Sequence, residues 1–181
     1  MPGYVALLRG VNVGGKNLLP MKLLVPLCEQ AGCSRVRTYI QSGNVVFEAT
    51  SKQAGQVGTA IATAIEGQFG FRSPVIVRSA DEFDDIITHN PFLKTDSPEP
   101  WLHVMFLQTR PDPGRVAALD PDRSPPDKFE VRGREIFLAC PNGVGQTKLT
   151  NAWFDSKLAT VSTGRNWRTV CKLRDMAREI A

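Results

Sequence analysis

The sequence predicts an α+β protein of two ferredoxin-like α/β plait (βαββαβ-type) subdomains with antiparallel sheets, plus a C-terminal helix. Three observations carry this. Short apolar runs such as YVALL, NVVF, VMFL and EIFL have strand length and are bounded by turn residues. Between them lie segments of helical period, the clearest being Val57, Ala60, Ile61, Ala64, Ile65 and Phe69 on one apolar face. The order strand, helix, hairpin, helix, strand runs through residues 1–79 and restarts near residue 101.

Taken in order, YVALLRG reads as a strand, followed by a glycine loop and a helix from Pro20 with Met21, Leu24, Cys28 and Ala31 at helical spacing. VRTYIQ and NVVFEA form a hairpin turning at Ser42 and Gly43, the periodic helix follows, and FRSPVIVR closes the first subdomain, residues 1–79. Ser79 and Glu82 make a capping box, S-A-D-E, which starts a linking helix with Phe83, Ile86 and Ile87; this link spans 80–100 and HNPF stops it. The second subdomain, 101–181, contains the strand WLHVMFLQ and a short helix started by Pro113. A hairpin KFEVRGREIFLAC turning at Gly133 and a helix through Leu149, Trp153, Phe154 and Leu158 follow. TVSTG is extended, and a last helix from Trp167 packs Trp167, Val170, Leu173, Ala177 and Ile180 inward, with Arg168, Lys172 and Arg178 solvated. The two halves share element order but no residue-level repeat.

A chain of 181 residues, 42% hydrophobic and 22% charged, can bury a substantial core. No apolar run approaches the ~20 residues of a membrane helix and no leader pattern is visible, so the protein reads as cytoplasmic, with no membrane partner. Cys28, Cys33, Cys140 and Cys171 have neither zinc nor C-x-x-C spacing and read as reduced, buried thiols; no metal and no cofactor is expected. Lys and Arg outnumber Asp and Glu by eight to three in residues 1–79 and by seven to three in 143–181, while 80–142 holds seven against twelve. Basic ends around an acidic middle fit either an anionic partner or mutual attraction of the parts.

The stretch GVNVGGKN is one residue from a phosphate loop, G-x-x-x-x-G-K-[ST]. Asn17 replaces the hydroxyl residue, and Pro20 starts the helix too late for Lys16 to enter its first turn, so nucleotide hydrolysis is not expected. A plait nevertheless brings the loop after strand one and the hairpin after strand two to the same end. Arg9, Asn12, Gly14, Gly15, Lys16 and Asn17 therefore share an end with Gln41, Ser42 and Asn44, and neither loop contributes a carboxylate. Exposed glycine amides with two cations can cradle a phosphate or carboxylate. The alternative reading gives the glycines and asparagines to turn geometry and capping. Secondary candidates are Arg165, Asn166 and Arg168 at the start of the last helix, where the dipole favours an anion, and Lys148 in the glycine-rich CPNGVGQTKL.

The strings ALLRGVNVGGKN, RTYIQSGNVVF, NPF, VMFL, PNGVGQTKL and GRNWRTVCKL, in this order across nearly the whole chain, resemble the bacterial DUF1697 family, a domain family of unknown function. The resemblance implies two plait-like subdomains and no established activity, substrate or catalytic residue. Where that family tends to have Thr-Thr before Arg-Asn-Trp, this chain has Thr163 and Gly164.

The residues support a non-catalytic binding protein for a phosphate-bearing small molecule, nucleotide or nucleic acid, acting through the basic glycine loop. The alternatives are an enzyme acting on an anionic substrate and a protein–protein adaptor. Stacking of RNA bases is not expected, because the third strand carries Phe47 alone among aliphatics. The two histidines are His89, beside a helix stop, and His103, read as a core residue of an apolar strand. The acids of DEFDD read as a solvated helix face, and no catalytic motif or oligomeric state is legible.

Overall fold

The structure, a computed structural model, describes all 181 residues. It is a mixed α/β fold with two four-stranded antiparallel sheets and six α-helices. Contacts divide the chain into two compact units, one formed by 1–85 with 172–181 and the other by 86–171. No helix is long and apolar enough to cross a membrane.

The first unit contains β1 (Gly3–Leu8), α1 (Leu24–Gln30, entered through a 3-10 turn at Met21–Leu23), β2 (Ser34–Tyr39), β3 (Asn44–Glu48), α2 (Ser51–Phe69) and β4 (Val75–Ser79). Its sheet order is β2-β3-β1-β4, so β1 is central, with Val5 opposite Val46 on one side and Arg78 on the other. Tyr4, Ala6, Leu8, Val45 and Phe47 face α1 and α2 and join their apolar residues in one core. Helix α2 starts at a full capping box, Thr50 with Gln53, and stops at Gly70 in the left-handed conformation, φ 74°. Its buried stripe is Ala54, Val57, Gly58, Ile61 and Ile65, whereas Ala60, expected on that face, is exposed. The reason is close helix–strand packing: a Cβ on Gly58 would lie 3.1 Å from the Val75 carbonyl oxygen, and this approach turns Ala60 outward.

Helix α3 (Ala80–Thr88) opens with the expected box, Glu82 N donating to Ser79 Oγ (3.2 Å) and Ser79 N to Glu82 Oε2 (2.8 Å). Its acids are not a merely solvated face. Asp84 accepts from Arg174 (3.3 Å) and Arg178 (2.9 Å), and Asp81 from Arg178 (2.6 Å). The guanidinium of Arg178, read from sequence as solvated, is the first cause holding the Asp84 carboxyl below its usual range. These pairs, with Arg35 donating to the Ile180 carbonyl (2.8 Å), explain why 172–181 group with 1–85, although element order alone assigns the whole last helix to 101–181.

The second unit contains β5 (Leu102–Leu107), α4 (Pro113–Ala117), β6 (Lys128–Arg132), β7 (Glu135–Ala139), α5 (Asn151–Leu158), β8 (Ser162–Asn166) and the start of α6 (Trp167–Ile180). Its order, β6-β7-β5-β8, repeats that of the first. The register repeats as well: Val104 pairs with Arg165 as Val5 pairs with Arg78, and both arginines are buried. Ser79 caps α3 and Asn166 caps α6, through Thr169 N at 2.8 Å. The repeat is therefore one of architecture and capping, not of sequence. All four cysteines are free, and burial pushes the thiol of Cys28 up to about 12 and those of Cys33 and Cys140 up to about 11.

Candidate functional site

The loop after β1 and the β2–β3 turn meet as expected. Leu8 N donates to the Gly43 carbonyl (2.8 Å), and Asn12 Nδ2 donates to the Gln41 carbonyl (2.8 Å). Asn12 also donates to Leu19 O (2.9 Å) and accepts from Leu19 N (2.8 Å), while Asn17 Nδ2 donates to Gly10 O (2.9 Å). Both asparagines sit at positive φ, 54° and 51°, which their short amide side chains tolerate better than most. Between them the chain makes a miniature hairpin. Asn12 N donates to Asn17 O (3.0 Å) and Lys16 N to Val13 O (2.9 Å). Gly14 and Gly15, at φ 57° and 73°, form its two-residue turn with the sign pattern of type I′.

This geometry assigns roles within the predicted set. Asn12 and Asn17 are struts whose amides hold the hairpin. Asn44 is fully buried and donates to Tyr39 O (3.1 Å) and Ser42 Oγ (3.0 Å), so it closes the β2–β3 turn and does not reach the surface. Arg9 is half-buried, with its main chain held by Ser73 Oγ (2.8 Å) and by the Pro74 carbonyl (3.0 Å). Gly14, Gly15, Lys16 and Gln41 are exposed, and a Cβ built on either glycine would meet nothing within 4 Å. Lys16 lies in the hairpin, ahead of the first helical turn at Met21, which is not the placement of a phosphate-loop lysine. Val13, Leu18 and Ile40 are exposed beside it, and Ile40, a β-branched residue, is held at φ 49°.

Among the secondary candidates, Lys148 and Arg168 are exposed and Asn166 caps α6. Arg165 is buried and donates to Thr163 Oγ1 and Gly164 O, both at 2.8 Å; burial lowers its pKa to about 10. A groove of about 300 Å³ in the second unit is lined by His103, Met105, Leu138, Val144, Asn151 and Asn166, among others. The apolar strand around it predicts His103 as a core residue. It is instead half-buried on the groove wall, with Nδ1 3.2 Å from Trp101 O, and desolvation lowers its pKa against the raising effect of that bond. The sequence signal available was the short helical stretch between β7 and β8, too short to cover its sheet.

The family model described as "Protein of unknown function (DUF1697)" matches residues 1–137, which include the whole hairpin site and, of the groove, His103 and Met105 on β5. The chain belongs to the DUF1697 family. This DUF1697 protein is also similar to a solved structure, the conserved bacterial protein SP0830 from Streptococcus pneumoniae. The likeness covers 98% of this chain and 99% of that one at 23% identity and a TM-score of 0.75, and it bears on the fold alone. No curated protein matches the chain.

Proposed function

We propose that this DUF1697 protein is a non-catalytic binding protein that takes a phosphate-bearing ligand, nucleotide or nucleic acid, at the tip of the Asn12–Asn17 hairpin. The observation that carries the reading is a stiffened, exposed turn, Gly14-Gly15-Lys16, held from behind by Asn12 and Asn17. Backbone at two open glycines lets a phosphate oxygen approach, Lys16 supplies a point charge, and no Asp or Glu occurs before Glu29 or between Glu29 and Glu48. Pre-ordering the turn removes the entropy cost that a floppy loop would meet on binding. Arg9 and Lys22 add positive charge to the same stretch of chain. The four free thiols support a reducing, cytoplasmic location, and the strand order of each sheet supports a ferredoxin-like plait.

Exposed Val13, Leu18 and Ile40 favour a second reading, a protein partner docking on the same tip. Salt separates the two. Binding of a fluorescein-labelled single-stranded oligonucleotide should weaken steeply with added salt, and Lys16→Ala should weaken it further. An oligonucleotide affinity indifferent to both salt and Lys16→Ala would remove the phosphate reading.

A further inference from the structure

The two units close the helix-bearing faces of their sheets differently. In the first, α2 runs 19 residues, about 28 Å, over its sheet; in the second, α5 runs 8 residues, about 12 Å. The register shows what this uncovers. Ala6 pairs with Val77 in the first sheet, and the corresponding pair in the second is Met105 with Gly164. A short helix and a missing side chain together leave the groove of about 300 Å³, at the lower end of small-molecule sites.

The polar groups around it have settled directions. Trp101 O can only accept, so Nδ1 of neutral His103 carries the proton and Nε2 remains as an acceptor. Asn151 Nδ2 is engaged by Ser162 Oγ (2.8 Å), which leaves its Oδ1 as an acceptor. Asn166 Oδ1 takes Thr169 N (2.8 Å), which leaves its NH2 as a donor. Met105, Leu138 and Val144 give the floor an apolar character. Arg165 also lines the groove, but it lies opposite Val104. Strand alternation therefore puts its head on the other face of the sheet from His103 and Met105, where it binds Thr163 Oγ1.

We infer that this groove is a binding site for a neutral, planar N–H heterocycle of nucleobase size, which lies on Met105 and donates to His103 Nε2 and Asn151 Oδ1. The site is separate from the hairpin tip and takes an uncharged ring where the tip takes a phosphate. Gly164 offers the test. Its backbone is outside the left-handed region, and a Cβ there would meet Met105 Cγ at 3.7 Å and Val104 O at 4.0 Å, ordinary contacts. Gly164→Val therefore sets a branched side chain against the groove at the register position that Val77 holds in the first sheet.

Ligand-observed NMR titrations with adenine, uracil and benzimidazole, and with benzoate and inorganic phosphate as anions, read the outcome. At least one heterocycle should bind saturably to the wild type, at least tenfold more weakly to Gly164→Val and to His103→Phe, with melting temperatures of both variants retained. Saturable binding that survives both substitutions, the absence of saturable binding by all three heterocycles, or a Gly164→Val-sensitive site that prefers the anions would overturn the inference. None of these results depends on Lys16, so the outcome is independent of the hairpin site.

Discussion

Asn12 and Gln41 lie 29 residues apart in the chain and are joined by a 2.8 Å hydrogen bond from the Asn12 amide to the Gln41 carbonyl. That one bond fixes the loop after β1 against the β2–β3 turn, and the two further Asn12 bonds to Leu19 fix where the chain turns back toward α1. Asn12→Ala removes three bonds and keeps an unfavourable positive φ, so a loss of roughly 2–4 kcal/mol in urea unfolding is expected. Asn12→Gly relieves the backbone and should cost about 1 kcal/mol less. Lys16→Ala, on the exposed tip, should stay within about 0.5 kcal/mol of wild type. Equal losses for Asn12→Ala and Lys16→Ala would mean that Asn12 is not a strut.

Two glycines at positive φ should respond differently. Gly14→Ala meets open space, so only the left-handed conformation is penalised, by about 1–2 kcal/mol. Gly43→Ala adds a Cβ at 2.6 Å from Val11 and 2.7 Å from Leu8, both buried, and a further ~1–3 kcal/mol of overpacking is expected. Denaturant midpoints of the pair check this ordering.

The capping box of α2 gives a local test. Thr50→Ala removes the Oγ1 acceptor of Gln53 N and should destabilise by about 1 kcal/mol, whereas Thr50→Ser should be close to neutral. Amide exchange should quicken first in the opening turn of α2.

His103 and Asp84 contribute to the acid limb of stability in windows that differ. The folded-state pKa of His103 lies below 6.5 because burial disfavours the cation, so the unfolded chain takes up its proton first. Stability is therefore full above about 6.5 and declines as pH falls below it, and His103→Gln should flatten that part of the curve. Asp84 is depressed from 3.8 by Arg178, then by Arg174, so its contribution is present above about 4 and is lost as pH falls through the lower folded value. The Asp84 side chain is 36% exposed, so screening keeps the effect under ~1 kcal/mol, and Asp84→Asn should show a difference that vanishes in acid and in high salt.

Much of the fold was legible because it rests on local periodicity and capping chemistry. The period of α2, the Ser79 box and the turns at Gly43 and Gly133 are all written within a few residues. What was not legible depends on partners distant in sequence. Asn44 follows a turn and reads as surface, yet it is buried beneath that turn. Asp84 sits in an acidic run that reads as solvated until Arg174 and Arg178 arrive from the far end of the chain. The candidate hairpin was found from its glycines and charge, but the strut role of Asn12 needed Gln41 and Leu19 in space. The groove arises from what α5 does not cover, and its one mark in the sequence is the shortness of the helical stretch between β7 and β8, which becomes informative only beside the sheet it fails to cover.

The most direct test of the hairpin account is the salt dependence of oligonucleotide binding, log K against log salt, for wild type and Lys16→Ala. The account predicts a negative slope for wild type and a slope shallower by about one for Lys16→Ala, with weaker binding at every salt concentration and unchanged melting. Identical affinities and identical slopes for the two proteins would contradict it.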